Sequence, residues 1–258
     1  MPTSSSKLIV DFQSNGLVTA TINRTDKSNA LDGETLELLA HTITELDRDP
    51  ATRVLVIRGA GKHFCAGADL SSPSDGGPVS GPTIAEVCTR LDNSTKPTIA
   101  VVRGACIGGG LALASCCNVL LASPDAFFAI PEVRLGFAPG PLTLFFMRAI
   151  PPRALGRYMI SGERITADQA LMLGLAHAVT KADETDATLC ALVEAFLQGG
   201  PGAISDGKSI LRRYRDHPLT QQALDELTVD FMRRIRSPEA REGFASARER
   251  RRPSWHTT

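Results

Sequence analysis

Two short glycine-containing turns hold the residues best suited to chemistry. The first, Phe64-Cys65-Ala66-Gly67-Ala68-Asp69-Leu70, comes shortly after the aliphatic run Val54 to Ile57. The second, Gly104-Ala105-Cys106-Ile107-Gly108-Gly109-Gly110, directly follows the run Thr98 to Val102. Tiny side chains let another group approach the backbone closely and leave N–H groups free to donate. Two such N–H groups converging on one oxygen form an oxyanion hole. Close packing of a helix on a strand uses the same small residues without any ligand, so both readings stand at this level.

Other chemistries fail on spacing. Gly61-Lys62 lacks the earlier glycine of a phosphate loop, since Val56 stands there, and His63 replaces the magnesium-binding Ser or Thr. Gly108-Gly109-Gly110 is not a dinucleotide fingerprint, because Leu113 occupies the third spaced glycine position. No GxSxG and no HExxH occurs. The six cysteines form no CxxC pair and the five histidines are scattered, which argues against a zinc site. Cys106, Cys116, Cys117 and Cys190 lie in apolar or helical patterns, so the thiols are expected to be reduced, buried hydrophobes. The basic run Arg248, Arg250, Arg251 and Arg252 reads as a solvated helix face.

The turns need a frame to hold them. Leu8 to Phe12 and Leu17 to Ile22 read as a hairpin around Ser14-Asn15-Gly16. Asp32 can cap a helix whose apolar residues Leu36, Leu39, Ala40, Ile43 and Leu46 fall on one face. Val54 to Ile57, Thr98 to Val102, Val119 to Ala122 and Phe127 to Ile130 read as short strands, with Ala105 to Cys117 turning from glycine-rich to helical. From Pro141 the pattern is nearly all helical, with starts at Pro152, Thr166, Asp183, Pro201, Leu219 and Pro238. This predicts an α/β core (residues 1–195) carrying a helical C-terminal region (196–258). Residues 71–82, rich in Ser, Pro and Gly, read as a surface loop.

Composition limits the function classes. The 258 residues are 43% apolar, enough for a large core, and 28 basic side chains balance 28 acidic ones. That balance disfavours a nucleic-acid or membrane-surface protein, and no apolar run approaches the roughly 20 residues of a membrane span. Residues 1–7 lack the apolar stretch of a secretory signal, so a cytoplasmic location is expected.

Taken in order, the motifs Asn23-Arg24, Asn29-Ala30-Leu31, Phe64 to Leu70, Gly108-Gly109-Gly110 and Pro131-Glu132-Val133-Arg134-Leu135-Gly136 resemble the crotonase (enoyl-CoA hydratase/isomerase) superfamily. So do Ile160 to Ala167, Gly174-Leu175 and Glu242-Gly243 with Glu249-Arg250-Arg251, and the resemblance runs from about residue 8 to 252. It implies a spiral of ββα units followed by trimerising C-terminal helices, as a homotrimer or a dimer of trimers. It also implies an acyl-coenzyme A thioester as substrate, with no metal or other cofactor.

By the same resemblance, the N–H groups of Ala68 and Gly109 hold the thioester oxygen. Main chain around Ala66, Ala68 and Leu70, with Asp69 and Ser71 beside it, binds the adenine end of coenzyme A. Lys27 or Arg24 lies near the phosphates, and Arg250 takes the place of a basic residue that reaches coenzyme A. Phe137 and Leu142 are expected to line an apolar acyl pocket with Ala112.

Hydratases of the family carry two glutamates, and here the first position is Ala112 while the second is Glu132. A lone carboxylate beside an oxyanion hole matches the Δ3,Δ2-enoyl-CoA isomerases; the aspartate of dienoyl-CoA isomerases is replaced by Gly140. The expected activity is therefore double-bond migration. The alternatives are hydration, with Asp69 or Glu86 replacing the missing carboxylate, and non-catalytic acyl-CoA binding. Without the resemblance, Glu132 would read as a surface carboxylate paired with Arg134.

Overall fold

The computed structural model describes residues 6–71 and 81–256. The expected hairpin is present as β1 (Leu8–Phe12) and β2 (Leu17–Ile22), antiparallel with Leu8 opposite Ile22. Asp32 caps α1 (Gly33–Arg48) by accepting from the Thr35 N–H, and Leu36, Leu39, Ala40, Ile43 and Leu46 are its buried stripe. The chain continues through β3 (Val54–Gly59), α2 (Ile84–Asn93), β4 (Thr98–Val102), β5 (Ala105–Ile107) and α3 (Gly109–Ser115). Next come β6 (Val119–Ala122), β7 (Phe127–Ala129), α4 (Thr143–Ala149), α5 (Pro152–Ser161), β8 (Ile165–Thr166), α6 (Ala167–Met172) and β9 (Ala178–Val179). The last four helices are α7 (Ala182–Gln198), α8 (Pro201–Tyr214), α9 (Gln221–Ile235) and α10 (Pro238–Glu249).

Nine strands form two sheets among the described residues, ordered β1-β2-β3-β4-β6-β9 and β5-β7-β8. From β2 onward the large sheet is parallel. Parallel strands covered on both faces read as continuous aliphatic runs, as Val54 to Ile57 does. Alternate residues serve opposite faces. Val18, Ala20, Leu55, Ile57, Ala100 and Val102 join the main core with α1, α2 and α3. Leu17, Val54, Val56, Ile99, Val101 and Leu121 form a second layer with Val193 and Leu197 of α7. From β4 to β7 the chain steps alternately between the sheets, winding a spiral, before β8 adds to the small sheet and β9 to the large one.

Three features depart from the sequence expectation. Residues after Pro141 include two short strands, β8 and β9, which close the small sheet and the edge of the large one. α2 follows the Ser/Pro/Gly-rich stretch, opened by a capping box between Thr83 and Glu86. All six cysteines are free, but Cys190 is exposed on α7 while Cys65, Cys88, Cys106 and Cys116 are buried. Most of the loop expected over 71–82 lies outside the described residues. No single helix among the described residues is long and apolar enough to cross a membrane.

Candidate active site

The two glycine turns lie side by side because each is stitched into neighbouring backbone. Cys65 pairs with the second turn: its N–H donates to the Ala105 carbonyl and its carbonyl accepts from Ile107 N–H, both at 3.0 Å. Two residues on, the first turn pairs with Leu31 instead. Leu31 N–H donates to the Gly67 carbonyl at 2.8 Å, and Asp69 N–H donates to the Leu31 carbonyl at 2.9 Å. In such a parallel bridge the middle residue, Ala68, turns its own N–H away from Leu31. That N–H has no acceptor among the described residues.

Gly109, the first residue of α3, has no helical partner for its N–H. Gly108 N–H is used by the Ala129 carbonyl and the Gly108 carbonyl by Ala112, so Gly109 supplies the free donor of this turn. The β-carbon position of Gly67 is 3.8 Å from the Gly109 nitrogen, which puts the second donor next to the first turn.

These donors line a cavity of about 190 Å³ with Ile84, Glu132, Phe137 and Leu142 among its other walls. Glu132 is its one ionisable lining side chain among the described residues. It opens a single 3-10 turn (Glu132–Leu135) after Pro131, closed by Gly136 in the left-handed conformation. Glu132 is 8% exposed, and its buried Oε2 has no partner among the described residues. Burial pushes its pKa above the usual carboxylate value, against a weaker pull from its own backbone N–H. It does not pair with Arg134, whose Nε donates to the Ser161 carbonyl at 3.3 Å. An orphaned buried carboxyl oxygen facing an apolar cavity is costly for stability alone and marks a place of function.

The other expected residues divide. Ala66 and Leu70 line the cavity mouth, with Leu70 70% exposed at the rim. Lys27 is exposed on the turn Thr25–Lys27, beside Ser28, whose carbonyl accepts from Ala66 N–H. Arg24 is turned inward instead: Nη2 bonds Asp69 Oδ2 at 2.8 Å and Nη1 donates to the Ala30 carbonyl, leaving no free guanidinium for a phosphate. Asp69 is absorbed by that pair and by the Ser71 hydroxyl and N–H, so it does not line the cavity and Ser71 faces it rather than the pocket. Glu86 is spent on the Thr83 cap.

Arg250 ends α10 in the left-handed conformation, exposed, and lines no part of the cavity. Ala112 is fully buried in the core rather than on the cavity wall. It sits three residues after Gly109, on the helix face that looks toward the site one turn deeper.

Ile84 went unforeseen. It is the first residue of α2, and its Cδ1 stands 2.7 Å from where a β-carbon on Gly109 would be. The signal was present as T-x-x-E at Thr83 to Glu86 opening an apolar run. Leu135 and Pro139 join Phe137 and Leu142 on the apolar wall.

A spiral of two sheets thus surrounds two free backbone N–H groups, an apolar pocket and one desolvated carboxylate. The profile of the enoyl-CoA hydratase/isomerase family matches residues 13–258, and the chain belongs to that family. It is 30% identical over 255 residues to carnitinyl-CoA dehydratase of Proteus mirabilis (strain HI4320), covering 89% of this chain and 91% of the relative. It is 31% identical to 2,3-dehydroadipyl-CoA hydratase of Escherichia coli (strain K12), covering 97% and 98%. Among solved structures, an enoyl-CoA hydratase/isomerase from Marinobacter aquaeolei superposes with a TM-score of 0.90 at 30% identity, covering 97% of this chain and 99% of that one.

Proposed function

We propose that this enzyme moves the double bond of a 3-enoyl-CoA thioester to the 2-position, with Glu132 as its single proton carrier. The carboxylate takes a proton from C2, and the electron pair delocalises onto the thioester oxygen as a dienolate. The Ala68 and Gly109 N–H groups hold that oxygen, where loss of one donor costs about 10²- to 10³-fold in rate. Glu132 then returns the proton at C4, leaving the double bond between C2 and C3. Its raised pKa suits both halves of the transfer. No metal or separate cofactor enters the proton balance.

The observation that carries this reading is the solitude of Glu132. Hydration asks for two groups around one water. Ala112 has no carboxyl, and Asp69 and Glu86 are committed to Arg24 and Thr83. Main chain at Ala66, Ala68 and Leu70 is assigned to the adenine end, and the exposed Lys27 and Arg250 are assigned to the phosphates by the family resemblance. Exposed Leu211, Val229, Phe231 and Phe244 on α8, α9 and α10 fit self-association as a trimer or a dimer of trimers.

The hydratase and dehydratase names of the relatives favour a second reading, hydration of a 2-enoyl-CoA. Both activities are assayed on wild type and Glu132→Gln, with 3-hexenoyl-CoA and crotonyl-CoA as substrates. Migration faster than hydration, and lost in Glu132→Gln, supports the isomerase. Hydration dominating supports the second reading, and tight binding with neither turnover leaves a non-catalytic acyl-CoA binder.

A further inference from the structure

We propose that the Arg24–Asp69 ion pair is a positioning device that aims the Ala68 N–H at the thioester oxygen. This rests on the proposed oxyanion hole, though not on which reaction the hole serves. The Ala68 N–H lies in the Gly67–Ala68 peptide, and Asp69 anchors the next peptide, so fixing Asp69 restricts how far the donor's peptide can rotate. The backbone does part of this through the two Leu31 bonds. The side chain does the rest. Arg24 Nη2 reaches Asp69 Oδ2 at 2.8 Å, while Nη1 is anchored on the Ala30 carbonyl, one residue before Leu31.

The clamp is itself braced. Arg24 Nη2 also lies 3.2 Å from Asp32 Oδ2, and Lys7 Nζ bonds the same oxygen at 2.7 Å. Asp32 caps α1, so the network ties the oxyanion turn to the start of a long core helix. The side chains of Arg24 and Asp69 are only 12% and 8% exposed, where a charge pair is little screened. The remaining Asp69 oxygen accepts from Ser71 N–H at 3.0 Å and Ser71 Oγ, fixing the chain that follows Asp69 as well. The Ser71 hydroxyl, then the Arg24 guanidinium, hold the Asp69 carboxyl well below its usual range, so Asp69 stays ionised across the working pH range. A donor misplaced by about 1 Å can cost about 10²-fold in rate.

The test reads polarisation directly. Crotonyl-CoA is bound to Glu132→Gln, which keeps the hole but does not turn over, and its thioester carbonyl stretch is measured by difference infrared spectroscopy. The clamp predicts that adding Asp69→Asn moves the stretch back toward free crotonyl-CoA, while affinity for free coenzyme A changes by less than about twofold. In the otherwise wild-type enzyme Asp69→Asn is expected to lower kcat at least about tenfold with KM little changed. Arg24→Lys, which keeps the charge but loses the fork to Ala30, is expected to fall between. A folded Asp69→Asn with parental stretch and kcat overturns the proposal. If that variant does not fold, an unmoved stretch in Arg24→Lys overturns it. An unshifted carbonyl in Glu132→Gln with the clamp intact would instead sink the oxyanion hole itself.

Discussion

Glu132 Oε1 rests against the bare α-carbon of Gly108: a β-carbon there would stand 2.8 Å from the carboxyl oxygen. Gly108 also has φ +51°, a conformation that side chains rarely adopt. Gly108→Ala is therefore expected to displace the base and to strain the turn that carries the Gly109 donor. The strain costs about 1–3 kcal/mol in stability. The displacement is expected to reduce kcat by about 10²-fold. Thermal unfolding together with steady-state kinetics separates the two effects.

The burial of Glu132 gives a signed dependence on pH. Its folded pKa is raised above 4.5 because the charged form is desolvated. Ionising it in the fold is thus a penalty that is full above the folded pKa and vanishes below the unfolded one. Glu132→Gln should raise Tm at pH 8 and lose that advantage as pH falls to 4. Relief of about 1 kcal/mol, the scale of one unpaired buried acceptor, is worth about 2–4 °C in a chain of this size. Turnover runs the other way: kcat rises with pH through the same raised pKa, because the ionised form is the base.

Ile84 packs over Gly109 on the cavity wall, where, on the proposed reading, it shields the thioester oxygen from bulk water. Ile84→Ala should cost roughly 2 kcal/mol, the low end for a large-to-small change, because the side chain is only half buried. It should also raise the ratio of crotonyl-CoA hydration to 3-hexenoyl-CoA migration. A product ratio measured by chromatography reads this at once.

Ala112→Glu places a carboxylate on the face of α3 that carries Gly109. Hydration is expected to rise well above wild type, because a water then has two carboxylates around it. Tm is expected to fall, since a longer charged side chain enters a fully buried position. Assay of hydration beside a melting curve checks both signs.

Much of this frame can be read from the chain by period and turn chemistry. Leu8 to Phe12 and Leu17 to Ile22 flank an Asn-Gly turn, and Asp32 announces α1, because both signals are local. β8 and β9 carry no such pattern. Each has two residues and exists because a neighbouring strand edge is there to pair with. The fate of Arg24 is equally hidden, since its partner Asp69 lies 45 positions away and only the fold makes them neighbours. Glu132 is the mixed case. Its place in Pro131-Glu132 marks it by resemblance, but the orphaning of its Oε2 among the described residues is a property of packing that the letters cannot express.

The central claim is that one buried carboxylate carries the same hydrogen from C2 to C4. 3-Hexenoyl-CoA deuterated at C2 and converted in ordinary water, with the product analysed by mass spectrometry, tests it most directly. The account predicts that part of the deuterium lost from C2 reappears at C4, and that Glu132→Gln abolishes the conversion. Equal rates in the two enzymes, or hydrogen at C4 drawn wholly from solvent, would contradict it.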